Sequence, residues 1–516
     1  MNCNENNKYS INLLIRFLRL EYYEFKILII NFCLLMLSYM FMYINLPQSS
    51  DTLRFYTISD GYIKLMIYSG RWFRSLWFIL IKSLGYYNVI PFFNLIITAL
   101  LMSYSLILIL KIFDIKSIFL KCMFISLFSI TPPFLELYLS YHEIFDNAIA
   151  LFFIAISLYF GTKCNKILLS SLFICFATGI YQVYFNFAIS LLIIYLINSI
   201  YNINDKFDFR IFVYKVLRFV FLILISFGLY YCIYRFAQCI INSDSRFNGG
   251  FIDFSLLGKS LLKVFAMVAV MPFKSYAGFN TTLLTKFLFA IIYAYLFIKT
   301  ILFINKNKTI FKFLIIPLYI ILPVAFSLHV FSGQVTAIRS CISLGLIFLL
   351  VIIYLDFDFN NRINLKVASS FISIVMCIFV VHYVYYANGF SYHAYLVNET
   401  SKAYAVELVS KIKSLDYYNT DRKIAFCFGN DLLNNDGYYY YADNSVFPID
   451  VSGITFDFKD MFENGINVFG AFEFEPLDYD SLIQIKELNE YKQMPIYPNA
   501  GSIRLINDVI VVKLSK

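Results

Sequence analysis

The chain has 516 residues, of which 60% are hydrophobic and 15% charged, with a formal net charge of +9. Mean hydropathy is +0.70. These values exclude an ordinary soluble domain and fit a polytopic α-helical membrane protein. The charge is unevenly spread. Residues 1–387 carry 31 Lys and Arg against 15 Asp and Glu, whereas 388–516 carry 11 against 18. The expected organisation is a basic membrane body over 1–387 and an acidic soluble tail over 388–516.

A helix needs roughly 20 apolar residues to cross a bilayer. On that rule the sequence predicts about eleven spans, near 27–46, 91–110, 117–133, 144–160, 166–179, 182–200, 217–240, 281–303, 311–329, 337–355 and 367–387. The first run is too long for the apolar core of a signal peptide and reads as a retained anchor. Charge sets the direction. With the N-terminus inside, 19 basic residues fall on one side, from Lys8, Arg16, Arg19 and Lys26 through to Arg362 and Lys366. That asymmetry is the positive-inside pattern, and an odd number of spans puts the tail outside.

The outer loops are then 47–90, 134–143 and 241–280. The first carries Asp51, Arg54, Asp60, Lys64, Arg71 and Arg74. Outer loops usually avoid Lys and Arg. A basic outer loop holding two carboxylates points to an anionic lipid-phosphate donor and acid–base chemistry at the outer surface. The second loop is aromatic and acidic, and the third contains an amphipathic run at Leu256–Val270 expected to lie along the interface.

In the tail, Glu399–Leu415 and Tyr479–Tyr491 have helical periodicity, and Lys423–Gly429 reads as a buried strand ending in a turn. Two β-rich runs flank Asn507-Asp508, a hairpin signature. A small α/β domain is predicted. Cys427 is its one cysteine, so it holds no internal disulfide. His142, His329, His382 and His393 are scattered and no CxxC spacing occurs, so neither a metal nor another cofactor is expected.

Candidate chemistry follows residue type. A base must take the acceptor hydroxyl's proton in a glycosyl transfer. Asp60, in the loop Ile58-Ser-Asp-Gly61, and Asp51 are the first choices, although Asp-Gly is also plain turn chemistry. Arg71, Arg74, Arg54 and Lys64 can hold a phosphate through charge-assisted hydrogen bonds, or else snorkel to headgroups. Glu136, His142, Glu143 and Asp146 form a third group, with Asp146 deeper in a span, where a charge is costly and usually functional. Tyr181-Gln182 can contact sugar hydroxyls, and Arg339 is a second phosphate-ligand candidate.

At the C-terminus stand Met494-Pro-Ile-Tyr-Pro-Asn-Ala-Gly-Ser-Ile-Arg504 and then Asp508-Val-Ile-Val-Val-Lys-Leu514. Gly70-Arg71, the Asp146 span and Gly179-Ile-Tyr-Gln182 precede them. In these motifs the chain resembles the serotype-converting O-antigen glucosyltransferases of enteric bacteria and their temperate phages (the Gtr type, glucosyltransferase II domain). The resemblance implies a GT-C-like enzyme in the bacterial inner membrane. It implies an undecaprenyl-phosphate glucose donor used on the periplasmic face, a lipid-linked O-antigen acceptor, and inversion from a β donor to an α linkage. It also implies membrane lipids, a small flippase and a cytoplasmic-face lipid-glucose synthase as partners, and no nucleic acid. Family members commonly have an acidic pair where this chain has Asp60-Gly61. A lipid-oligosaccharide carrier and an O-antigen polymerase are the competing readings. A carrier would place ionisable groups near mid-membrane and show internal repeats.

Overall fold

The computed structural model describes residues 14–46, 60–85, 91–139, 144–201, 209–241, 282–306, 313–326, 338–361, 366–427, 477 and 479–514. Asp51, Arg54, His142, Glu143, Leu256–Val270 and Tyr438–Tyr441 lie outside them.

The chain is mostly helical with one small sheet. In order, the helices are α1 (Tyr22–Asn45), α2 (Asp60–Tyr68), α3 (Trp72–Ser83), α4 (Pro91–Ile112), α5 (Ile118–Ser129), α6 (Pro132–Leu139), α7 (Ile144–Thr162), α8 (Ile167–Ile180), α9 (Val183–Tyr201), α10 (Phe209–Ile241), α11 (Leu283–Lys306) and α12 (Ile315–Phe326). A 3₁₀ segment at Ile338–Gly345 leads into α13 (Leu346–Asn361), and α14 runs from Lys366 to Lys413. Then come β1 (Ile424–Cys427), α15 (Tyr479–Glu487), α16 (Asn489–Lys492), β2 (Ile503–Ile506) and β3 (Val509–Lys513).

Eight helices among the described residues are long and apolar enough to cross a membrane. The chain is a multi-pass membrane protein. These helices coincide with eight of the eleven predicted spans. The other three predicted spans fall on α5, α8 and α12, which have 12, 14 and 12 residues. At 1.5 Å per residue α5 and α8 reach only about 18–21 Å, short of a hydrocarbon core of about 30 Å, whereas the predicted span at 311–329 extends beyond the described residues. The run at 117–133 breaks after Ser129 because Pro132 and Pro133 lack backbone N–H groups and start a new helix, α6.

The first outer loop also departs from expectation. It folds over 60–83 into α2 and α3, and Asp60 heads α2 rather than sitting in a turn.

Two compact units divide the chain: Met1–Tyr43 with Thr57–Asn388, and Ile44–Tyr56 with Gly389–Lys516. In the first, α7 packs on α4 and α8, and α8 on α10. Small residues let α7 and α8 approach closely. Ser157 and Ser170 exchange hydrogen bonds at 2.8–2.9 Å, and a Cβ on Gly161 would stand 2.8 Å from Ser170 Oγ. Across α1, α4 and α5, the Asn31 amide donates to Ser103 Oγ at 2.7 Å and Ser129 Oγ at 3.2 Å.

In the second unit the sheet order is β1-β3-β2, with β1 parallel and β2 antiparallel to β3. Alternation sends Ile424, Phe426, Ile510 and Val512 to one face, where Ala405, Leu408, Val409 and Ile412 of α14 cover them. Ala425, Cys427 and Val511 face the other way, against Leu482, Ile485, Tyr491 and Met494. Both faces are covered, which is why β1 is continuously apolar. The Met494–Ser502 motif thus serves as framework: Met494 packs on one face and Tyr497 on the other. Burial pushes the Tyr491 phenol up to about 12, and the hydrogen bond from Lys411 holds the Glu407 carboxyl below its usual range.

Asn507 and Asp508 both have positive φ, at 49° and 62°, as a two-residue hairpin turn requires. Replacing Asn507 with Val should therefore destabilise this unit by about 1–2 kcal/mol, whereas Asn507→Gly should be near neutral. Hydrogen exchange at the Val511 and Val512 amides would report the difference.

Candidate active site

The site is built around the turn between α2 and α3. Gly70 has φ 81° and stands just past the end of α2. Arg71 N donates to Met66 O at 2.8 Å, and Gly70 N to Ile67 O at 2.9 Å. This pair of bonds is a Schellman ending, and glycine is the residue that adopts the left-handed conformation at least cost. The turn makes Arg71 the N-cap residue of α3, and Arg74 follows within the same first turn.

Three side chains from elsewhere hold three successive carbonyls of that turn. Tyr234 OH donates to Tyr68 O at 3.3 Å, the Gln182 amide to Ser69 O, and Tyr230 OH to Gly70 O at 3.1 Å. Gln238 donates to Tyr234 OH at 2.8 Å, and Gln182 also reaches Tyr230 OH at 3.4 Å. Tyr230, Tyr234 and Gln238 recur every four residues, so they share one face of α10. All three are buried. The last carbonyls of a helix have no intrahelical partner, and this clamp satisfies them.

Arg71 and Arg74 then diverge. The Arg71 guanidinium lies over the Tyr181 ring, 4.7 Å from its centroid. Arg74 Nε meets Asp146 Oδ2 at 2.9 Å, with both side chains at most 4% exposed. Asp146 is in the first turn of α7. Beside it, Asn147 O accepts a bond from Tyr184 OH at 2.9 Å, which ties the start of α7 to α9. Trp77 of α3 packs on Phe145 with ring centroids 6.0 Å apart. Trp72 is wedged against Cys175, Tyr230 and Tyr234.

The structure therefore brings together Arg71, Arg74, Asp146, Tyr181 and Gln182. Arg74 and Asp146, read from sequence as a phosphate ligand and a base, are partners of one buried ion pair. That pairing changes the role open to each, because a carboxylate held by a guanidinium is already engaged. Lys64 is exposed on α2. Asp60, Glu136 and Arg339 belong to α2, α6 and the 3₁₀ segment respectively, and their side chains lie outside the described set. Tyr230, Tyr234 and Gln238 were missed from sequence. Their four-residue spacing was the available signal, submerged in a helix that is apolar and aromatic all round. No group of three or more His, Cys, Asp and Glu among the described residues could hold a metal.

Phenylalanine at 230 removes the bond to Gly70 O and the longer one from Gln182, together worth about 1–2 kcal/mol. Tyr230→Phe should leave folded yield nearly unchanged while loosening the turn that presents Arg71. The expected result is activity lowered several-fold, on the order of that energy, with Tyr231→Phe (a partly exposed neighbour) silent.

The many long apolar helices define the class as a multi-pass membrane protein. Residues 39–354 match the family described as Glucosyl transferase GtrII. The chain belongs to that family and is an enzyme, so the carrier reading gives way. The match takes in the turn, the ion pair and Tyr181-Gln182, and it stops short of the Met494–Leu514 motif. No curated protein and no solved structure matches the chain.

Proposed function

We propose that the chain transfers glucose from undecaprenyl-phosphate glucose to lipid-linked O-antigen at the periplasmic face of the bacterial inner membrane. The observation that carries this reading is the convergence of Arg71, Arg74, Asp146, Tyr181 and Gln182 at one end of the bundle. Charge asymmetry supports placing that end outside, because Lys111, Asp114 and Lys163 mark the other end of α4 and α7.

In the proposed step Arg71 binds the donor phosphate at the positive end of the α3 dipole. The ion pair with Asp146 fixes Arg74 beside it. The bond from the anomeric carbon to the phosphate oxygen breaks, and its electron pair leaves with undecaprenyl phosphate. The acceptor hydroxyl oxygen attacks the opposite face, giving inversion. Its proton passes to a carboxylate, for which Asp60 and then Asp51 are assigned, with Asp146 in the orienting role. Bidentate contacts that strengthen on the leaving phosphate lower the barrier. Arg339 and Lys64 are assigned as further donor-phosphate ligands, and Glu136, His142 and Glu143 are assigned to the acceptor. The unit at 389–516 guides the acceptor chain, and a small flippase and a lipid-glucose synthase supply the donor.

The test is the structure of the O-antigen, by NMR and mass spectrometry, in a host that makes the lipid-linked glucose. Wild type should add a hexose branch. Asp60→Asn should abolish it at equal membrane expression, and Arg71→Ala should cut it on the order of 10²-fold. An unchanged polysaccharide with well-expressed wild type and a suitable acceptor panel would sink the proposal. A branch retained by Asp60→Asn but lost in Asp51→Asn would move the base to Asp51.

A further inference from the structure

We infer that a polar cavity at the opposite end of the same bundle binds the phosphate headgroup of an anionic phospholipid. The cavity has a volume of about 870 Å³ and is walled by the segments at 16–24, 111–116 and Lys121. It is remote along α7 from Asp146. Asp146 opens that helix, while Lys163 just beyond its other end pairs with Asp114 of the cavity wall at 2.7 Å.

The charges of the wall are unequal in their commitments. Two of its three acids, Glu24 and Asp114, are engaged. Glu24 is buried and holds Lys111 at 2.7 Å and Lys121 at 4.0 Å. Asp114 holds Lys163. Lys111 is further anchored to the carbonyls of Arg19 at 2.8 Å and Phe17 at 3.4 Å. These contacts tie the 14–19 segment to the end of α4. Arg16, Arg19 and Lys116 line the cavity with no carboxylate partner among the described residues. Three cations from two chain segments thus line one concavity against a single remaining carboxylate, Glu21, and leave it net positive. A phosphate satisfies such a set through charge-assisted hydrogen bonds.

The surroundings decide for a lipid over a soluble phosphate. Ile15, Tyr22, Phe25, Ile118 and Phe119 flank the lining residues and are each more than half exposed. A polar pocket with an apolar skirt accommodates a headgroup and its acyl chains together. A soluble anion would leave that skirt unused. The inference does not depend on the transfer reaction, because the two sites share no residue.

The test is native mass spectrometry of the purified full-length protein after incubation with equal amounts of phosphatidylglycerol and phosphatidylcholine. Wild type should retain phosphatidylglycerol with a preference of about tenfold or more, as two or three lysine or arginine contacts imply. Arg16→Gln/Arg19→Gln/Lys116→Gln should bring the ratio close to one. The charge-matched Lys166→Gln/Arg210→Gln/Lys215→Gln protein should keep it. Equal loss in both variants would reduce the effect to diffuse surface charge and overturn the site. Absence of preference in wild type would do the same. Displacement of the lipid by inorganic phosphate at moderate excess would assign the cavity to a soluble anion instead. That competition uses wild type alone, so it holds even where the triple variant fails to fold.

Discussion

Arg74→Ala and Asp146→Ala should each lose most of the folded, membrane-inserted protein, and the pair Arg74→Met/Asp146→Leu should regain much of it without regaining activity. The two side chains meet at 2.9 Å and are almost fully buried. Removing one partner strands the other charge in a low-dielectric interior, which costs about 3–5 kcal/mol. Apolar residues of similar volume remove both charges at once, and such replacements are often neutral. Folding and catalysis separate in that comparison. Arg74 also shares the first turn of α3 with Arg71, so the apolar pair should fold and still transfer sugar on the order of 10²-fold more slowly. Monodisperse elution from detergent measures the first quantity, and glucosylated O-antigen per folded molecule the second. Were both alanine variants to elute and work like wild type, the pair would be an ornament of the fold. An active Met/Leu protein would remove Arg74 from the site while leaving the structural role intact.

The parts of the fold legible in the sequence were those set by local pattern. Long apolar runs such as 91–110 and 144–160 name themselves, because hydropathy and length alone decide whether a helix can span. The C-terminal sheet was equally plain. The β-rich runs and the Asn507-Asp508 turn between them are local signals, and both appear where expected. Short helices were harder. α2 has 9 residues and α3 has 12, so neither is long enough for periodicity to outweigh the charges that made 47–90 read as loop.

The site was legible as a set of residues and illegible as an arrangement. Arg74 and Asp146 were both singled out by charge in an apolar context, yet 72 positions separate them and no local rule joins them. Gly70-Arg71 and Gly179-Ile-Tyr-Gln182 were noted as separate motifs. In the structure they are two sides of one contact: Gln182 holds Ser69 O, and Tyr181 carries the Arg71 guanidinium. Burying the polar end of α2 requires partners for its carbonyls, and these come from α10, some 160 residues away. Sequence reveals that a cap is needed; only packing reveals who supplies it.

That contact leads to the second large effect, at Gly179. A Cβ built there would stand 2.6 Å from Trp72 Cε2, 2.8 Å from Cζ2 and 2.9 Å from Nε1. Carbon atoms in proteins do not approach so closely, so something must move. Trp72 is a rigid ring, 3% exposed, packed against Cys175, Tyr230 and Tyr234, and it is the first residue of α3, next to Arg71. It has little room to yield except by carrying the start of α3 with it. Gly179→Ala should therefore cost about 1–3 kcal/mol as an overpacked core and should lower transfer by more than its loss of folded protein. Gly228→Ala is the control. Nothing lies within 4 Å of a Cβ on Gly228 in α10, so that change should be neutral or stabilise by up to about 1 kcal/mol through helix propensity. Trp72→Phe supplies the converse. Phenylalanine lacks the indole edge that meets position 179, so Gly179→Ala/Trp72→Phe should recover folding relative to Gly179→Ala alone. The three variants are read by thermal unfolding in detergent and by glucosylation in cells. Equal tolerance of alanine at 179 and 228 would mean that α3 and α8 can part without consequence, and the close approach that sets Arg71 would lose its claim on function.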